Sequence, residues 1–267
     1  MTRLGLALTA ALFCATSALA QEQPVSCLIL PWDSVDLAAP TSGVVAEVLV
    51  ERGQAVKAGQ LLVRLDDATQ NAYLATVKAK AADDSQLKQA EVRLEITKSS
   101  VARNKPIFEK KLLKGDEWDQ IVGTSQLAEI ETEAARHALE LAALEVARAE
   151  AAIAQTRIHA PHDGVVMDIN VSVGEAAGST PLATLAVIDP LKVELFVASQ
   201  SYGAWEAGQK VSLNGSNAPG TQLEAVVKAV DPVADAGTGI LRVQLELPNP
   251  DFAILAGQQC QIVMAAP

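Results

Sequence analysis

Few side chains in this sequence could do chemistry, and their spacing points at most to a covalent staple. The three histidines are His137, His159 and His162. His159 and His162 flank Ala160-Pro161, three apart across a turn rather than on one helix face. Neither a cysteine cluster nor a His-Glu-x-x-His spacing accompanies them. His137 stands among alanines and arginines and reads as a seam or solvent residue. The many carboxylates read as solvated helix faces. Each glycine falls at a strand turn, which leaves no phosphate cradle. No catalytic, cofactor-binding or metal-ligating set emerges. Cys27 and Cys260 are a different matter: both sit in strand-like surroundings near the two ends of the chain. A disulfide between them would pin terminal strands side by side, and two unpaired buried thiols are the alternative.

The compartment bears on that choice. Arg3 supplies a short positive region, Leu4 to Ser17 an apolar run, and Ala18-Leu19-Ala20 a small-residue cleavage site. Cleavage after Ala20 would leave Gln21 at the new N-terminus, in an oxidising compartment where an even pair of cysteines reads first as a bridge. The apolar run is shorter than the ~20 residues of a spanning helix. Phe13 stands before Cys14 where a lipobox has a small residue. No later segment has a long enough apolar run to span a bilayer, so the mature chain is expected to be soluble.

Without residues 1–20 the chain keeps 20 basic and 32 acidic side chains, a net −12. That balance argues against phosphate-backbone binding, and nucleic acid is a poor partner. Aromatic residues make up only 3%, too few for a stacking platform.

The elements are organised by an interrupted repeat. Ala39-Pro40-Thr41-Ser42-Gly43-Val44-Val45 returns as Ala160-Pro161-His162-Asp163-Gly164-Val165-Val166, at an offset of 121 that continues without a gap. Nine of the 25 positions from 39 to 63 are identical to their partners, among them Gly43 with Gly164 and Gly53 with Gly174. These four glycines are expected at turns, supplying the positive φ of tight connections. Each copy reads as about four short strands. One copy cannot bury its own apolar face, so the two should pack into a small β-sandwich.

What separates the copies is helical. From Asp67 to Asn104 there is neither Gly nor Pro. Leu87, Leu94, Val101 and Phe108 repeat every seven residues, with Ala90 and Thr97 between them, and mark a heptad-like seam. A second arm runs from about Asp116 to Arg157, with an apolar stripe of Ile130, Ala134, Leu141, Leu144 and Ala151. Pro106, Lys110-Lys111 and Lys114-Gly115-Asp116 are expected to form the distal turn. Arms of this length would each reach ~55–60 Å. After Asp189-Pro190, alternating segments at 191–197, 209–213, 223–230, 239–247 and 258–264 suggest a small antiparallel barrel, which the Cys27 strand could join.

These residues carry a family resemblance. Ala39-Pro40…Gly43-Val44-Val45…Gly53-Gln54-Ala55-Val56-Lys57-Ala58-Gly59-Gln60-Leu61-Leu62…Leu65-Asp66 resembles the first lipoyl half of periplasmic adaptors, or membrane fusion proteins of the hemolysin-D-like kind. Ile158-His159-Ala160-Pro161-His162-Asp163-Gly164-Val165-Val166 resembles the start of their second half, and Pro190 to Gly208 with Ala256-Gly257-Gln258 is similar to their barrel. The expected fold is α+β and elongated: a split lipoyl-like β-sandwich with a long inserted α-helical coiled-coil hairpin, followed by a small antiparallel β-barrel. The expected boundaries are 1–20 signal peptide, 21–34 N-terminal strand, 35–66 first lipoyl half, 67–158 hairpin, 159–189 second half and 190–267 barrel.

The resemblance implies a non-enzymatic periplasmic subunit of an efflux or secretion system, held at the inner membrane by its partner. It would bridge an inner-membrane transporter, proton-driven or ATP-driven, and an outer-membrane channel, and self-associate into a ring. The hairpin tip (Phe108, Leu112, Leu113, Lys114, Gly115, Asp116 and Trp118) would meet the channel. Here the sequence departs from the usual Arg, Leu and Ser tip pattern: Leu112-Leu113-Lys114-Gly115 resembles its middle, but the Ser position falls near Trp118. The chain stops at Pro267 after the apparent last barrel strand, so a complete membrane-proximal domain is not expected. Lipoyl and biotinyl carriers share the β-architecture but present a lysine at the turn between the repeats. The insertion occupies that turn and begins Arg64-Leu65-Asp66-Asp67, with no such lysine. A purely structural coiled-coil protein is the remaining alternative.

Overall fold

A computed structural model of the chain describes residues 25–215 and 222–262. The cleavage site at Ala20 and Gln21 lies outside them. In chain order the elements are β1 (Val25–Ala38), β2 (Gly43–Val48), β3 (Ala55–Val56), β4 (Leu61–Leu65), α1 (Ala68–Ala81), α2 (Ser85–Glu109), α3 (Gly115–Ala154), β5 (Arg157–His159), β6 (Gly164–Ile169), β7 (Ala176–Ala177) and β8 (Pro181–Ala198). A 3-10 turn at Ser199–Ala204 follows, then β9 (Lys210–Gly215), β10 (Gln222–Val230), β11 (Ile240–Leu247) and β12 (Gln258–Ile262). The chain divides into two units, Asp33–Val187 and a second made of Met1–Trp32 with Ile188–Pro267.

In the Asp33–Val187 unit the repeat becomes a pseudo-two-fold sandwich. β2 and β6 occupy equivalent positions 121 residues apart, as do β3 and β7. Their pairings exchange under that offset: Gly43 pairs Ala177 and Val44 pairs Ala176, while Gly164 pairs Val56 and Val165 pairs Ala55. Single hydrogen bonds obey it too. The Val45 N–H donates to the Glu175 carbonyl at 2.8 Å, and the Val166 N–H to the Gln54 carbonyl at 3.0 Å. Each half thus completes the other's ladder, and neither can satisfy its backbone alone. The core is symmetric in the same way, with Val45 and Val166, Val50 and Val171, and Val56 and Ala177 all buried.

The four repeat glycines act by two different means. Gly53 and Gly174 have φ of +83° and +88°, as a turn glycine should. Gly43 and Gly164 do not: each is the first residue of a strand, with no positive φ. At Gly164 the constraint is space, since a Cβ would meet the Ala186 carbonyl oxygen at 2.4 Å. At Gly43 the nearest atom would be Leu65 Cδ1 at 3.4 Å.

The unit containing the barrel has strand order β1-β12-β9-β10-β11-β8, every neighbour antiparallel. Its core follows the period of two: Leu191, Val193, Leu195 and Val197 from β8 face Leu241, Val243, Leu245 and Leu247 from β11. Cys27 and Cys260 are register partners on β1 and β12 and form a disulfide, with Cα atoms 4.9 Å apart. Asn249 is buried and satisfied. Its N–H donates to Asp189 Oδ1 at 2.8 Å, its Nδ2 to the Ile188 and Ile254 carbonyls, and its Oδ1 accepts from the Ile254 N–H at 2.9 Å. That network fixes the loop between β11 and β12.

Candidate interfaces on the helical hairpin

The hairpin grows from two adjacent strands. β4 and β5 pair, with Arg64 opposite Arg157, and the first and last helices leave from their ends. Both arginines converge on Asp67, whose carboxylate is 12% exposed: Arg64 Nη1 lies 3.5 Å from one oxygen and Arg157 Nη2 3.8 Å from the other. Asp66 Oδ1 accepts the Ala68 N–H at 3.0 Å and opens the first turn of α1. Arg64 also pairs with Glu47 at 2.8 Å, which holds the Glu47 carboxyl below its usual range by a hydrogen bond and by charge. The turn where a carrier domain presents its lysine is thus an ion-paired helix base.

The first arm is not one helix. It breaks at residues 82–84 between α1 and α2, where Asp83 Oδ1 accepts the Ser85 N–H at 3.1 Å. The cause is local, because Asp-Asp-Ser offers side-chain oxygens that compete with the helical ladder. α3 runs unbroken for 40 residues, about 60 Å.

The seam corrects the stripe expected for the second arm. On α2 the heptad positions Leu87, Ala90, Leu94, Thr97, Val101 and Phe108 are half-buried, as their spacing predicts. On α3 the buried residues are small: Ser125, Ala128, Thr132, Ala142 and Ala149, with Ile153 at the base. Ile130, Ala134, Leu141, Leu144 and Ala151 are all exposed. Small side chains on α3 allow close approach to the larger side chains of α2, and Leu87, Ala135 and Ala142 line one groove between the arms. Ion pairs across the arms, Lys78–Glu150, Arg93–Glu131 and Lys98–Glu129, fix their register but contribute little stability at the surface.

The tip is tighter than expected. α2 continues through Pro106 to Glu109, and Gly115 is the first residue of α3, so neither lies in the turn. The turn itself is a Schellman closure: the Leu112 N–H donates to the Ile107 carbonyl at 3.1 Å and the Lys111 N–H to the Phe108 carbonyl at 2.8 Å. Lys111 sits at φ +58°, where glycine is usual. Phe108 and Trp118 stack across the hairpin, centroids 5.0 Å apart and planes 8° from parallel. Leu113 is half-buried, while Leu112 is 76% exposed at the apex with Lys114, Gly115 and Asp116 beside it. Asp116 and Glu117 occupy the first turn of α3, where negative charge favours the helix.

The histidines stay apart. His137 Nδ1 lies 3.3 Å from Glu140, and His159 and His162 each lie 3.0 Å from a backbone carbonyl. Among the described residues no group of three or more His, Cys, Asp or Glu could hold a metal ion. Nor is any helix among them long and apolar enough to cross a membrane.

A sandwich built from two exchanged halves around a helical hairpin is a specific arrangement. The family model for the RND MFP (membrane fusion protein) barrel-sandwich hybrid domain matches residues 33–189, and that for the CusB-like β-barrel domain matches residues 192–267. The chain belongs to the membrane fusion protein family. Among its relatives is the multidrug efflux pump subunit AcrA of Escherichia coli, 26% identical over 231 residues, covering 81% of this chain and 55% of AcrA. The macrolide export protein MacA of Yersinia pestis is 26% identical over 235 residues, covering 85% of this chain and 63% of MacA. An uncharacterized Haemophilus influenzae protein is 24% identical over 242 residues, covering 90% of this chain and 56% of that protein. The chain thus spans about half the length of curated relatives it matches. In fold it is similar to the crystal structure of MacA from Actinobacillus actinomycetemcomitans, with a TM-score of 0.78 at 24% identity over 91% of this chain and 78% of that one.

Proposed function

We propose that this membrane fusion protein is a periplasmic adaptor subunit that bridges an inner-membrane transporter, proton-driven or ATP-driven, and an outer-membrane channel. The observation that carries the reading is the hairpin itself. A sandwich turn that would otherwise be a few residues long becomes two arms, one of them a continuous 40-residue helix, ending in an aromatic-braced tip with Leu112 exposed at its apex among charged side chains. Such an insertion supplies reach and a contact surface but no reactive group. Phe108, Leu112, Leu113, Lys114, Gly115, Asp116 and Trp118 form the end that meets the channel. The signal peptide directs export and is removed by cleavage between Ala20 and Gln21; the mature subunit is held at the inner membrane by its transporter partner and self-associates into a ring. The relatives named for multidrug efflux and macrolide export support an export system as the setting.

Replacing Ile107–Gln120 by a short glycine-serine turn tests the reading. The shortened protein is expected to be exported with its disulfide formed, yet to give no support to transport by its partner. Full transport activity from that protein would overturn the tip's role.

A further inference from the structure

The barrel unit carries an open groove on its outer face. Strand register sets Phe196 opposite Arg242 and Ala198 opposite Ile240, and these residues alternate with the buried Leu195, Val197, Leu241 and Val243. Phe196 and Ile240 therefore point away from the core, 43% and 40% exposed. The loop joining β10 to β11 folds back against β11. Its Asp231 N–H donates to the Arg242 carbonyl at 2.9 Å and its Asp235 N–H to the Ile240 carbonyl at 2.8 Å. Asp235 Oδ1 in turn accepts from the Gly237 N–H and from the Thr238 N–H and hydroxyl, at 2.8 to 3.1 Å. So anchored, the loop holds Val233, 77% exposed, beside Phe196 and Ile240 in the lining of a groove of about 520 Å³.

A preformed space of this size suits a small ligand. Three partly exposed apolar side chains offer far less than the roughly 800 Å² per partner of a stable protein interface. Charge selects among small ligands. The charged lining residues are Asp231, Asp235 and Arg242. Arg242 Nη1 lies 3.7 Å from Glu194 Oε1, which also reaches Lys192 at 4.0 Å, so the guanidinium is answered from beside the groove. Neither aspartate is ion-paired with a lysine or arginine among the described residues. Hydrogen bonds from the Thr238 hydroxyl, then from the Thr238 and Gly237 N–H groups, hold the Asp235 carboxyl below its usual range, and it stays ionised at neutral pH. Two carboxylates beside a phenyl ring attract a cation, and the aliphatic walls give its hydrocarbon a place out of water. We propose that this groove binds small apolar organic cations, with Asp231 and Asp235 answering the charge and Phe196, Val233 and Ile240 holding the apolar body.

Rhodamine 6G, a flat aromatic cation, is the probe, titrated into the purified exported protein and followed by fluorescence anisotropy. A single saturable site is expected, with fluorescein, an anion of the same ring system, binding more than about tenfold more weakly. Asp231→Asn and Phe196→Ser should each weaken rhodamine binding about tenfold. Both side chains are already exposed, so circular dichroism and melting temperature should not change. Parent-like binding by both variants would put the dye elsewhere on the chain and overturn the site, as would the absence of saturable binding. Equal binding of fluorescein would reduce the groove to an unselective apolar surface. Argininamide displacing the dye as readily as tetraphenylphosphonium would mean that charge alone is read, and would overturn the role of the apolar walls. Dye binding is measured on the isolated protein, so its failure leaves the bridging role untouched. Conversely, replacing Ile107–Gln120 removes the bridging tip and should leave dye binding unchanged.

Discussion

Cys27 and Cys260, 233 residues apart in sequence, are direct antiparallel partners whose disulfide staples β1 to β12. The barrel's N-terminal strand is separated from the rest of its strands by the entire sandwich and hairpin. Closing the barrel is therefore a long-range event, and the bond removes the entropy of keeping the two ends apart.

Replacing both cysteines by alanine should lower barrel stability by about 2–5 kcal/mol, measured by denaturant titration of the exported protein. Both residues are only 2–3% exposed. The native protein should therefore show neither thiol to a labelling reagent and resist reductant until denaturant is added. Rapid native reduction would mean the staple is not sealed in the core.

Gly43 and Gly164 occupy equivalent places in the repeat but should respond differently to the same methyl group. Gly164→Ala puts a Cβ 2.4 Å from the backbone oxygen of Ala186, and a backbone atom cannot swing aside. A loss of about 1–3 kcal/mol is expected. Gly43→Ala meets only a leucine methyl at 3.4 Å and should be neutral or slightly stabilising. Hydrogen exchange at the Val45 and Val166 amides would read both, since each bonds across the two halves.

Some of this was legible in the chain and some was not, for physical reasons. The 121-residue offset predicted the sandwich because both copies must build the same strand and turn, and the exchanged hydrogen bonds are that constraint made visible. The α2 heptad was legible because the large residues that mark it, Leu87, Leu94, Val101 and Phe108, are the half-buried ones. On α3 two periodic stripes compete, and the small-residue one wins the seam because helices approach most closely over Ala, Ser and Thr. Hydropathy ranks the leucine stripe higher and so picks the wrong face. Gly164 was visible as a repeated glycine, but its reason, the Ala186 carbonyl, comes from a strand that only the fold brings near. The Asp83–Ser85 break carried a readable signal, adjacent side-chain acceptors within an alanine-rich run.

The tip offers a gain of stability. Lys111 closes the Schellman turn at φ +58°, a conformation that disfavours side chains with a Cβ. Lys111→Gly should stabilise the local fold by about 1 kcal/mol, Lys111→Ala should change little, and Lys111→Val should loosen it. Exchange protection of the Leu112 amide, which bonds the Ile107 carbonyl, is the direct readout. Equal protection in the glycine and valine variants would mean the turn does not hold this geometry.

The junction of the two sandwich halves should be sensitive to acid. Asp163 receives Lys57 Nζ at 2.8 Å and the Ala58 N–H at 2.8 Å. The Lys57 hydrogen bond, then the Ala58 one, hold its carboxyl below the usual range, while the hydrogen bond to Asp163 raises Lys57. A carboxyl whose pKa is lower in the folded state stabilises the fold above its unfolded value of about 3.9. That contribution disappears as pH falls through the lower folded value. Both groups are exposed, so the contribution is small at any pH. Asp163→Asn should therefore melt slightly below the parent at neutral pH. The two melting curves should converge once the pH is well below about 3.9. A difference that persists undiminished in acid would show that Asp163 acts through the shape of the turn rather than through its charge.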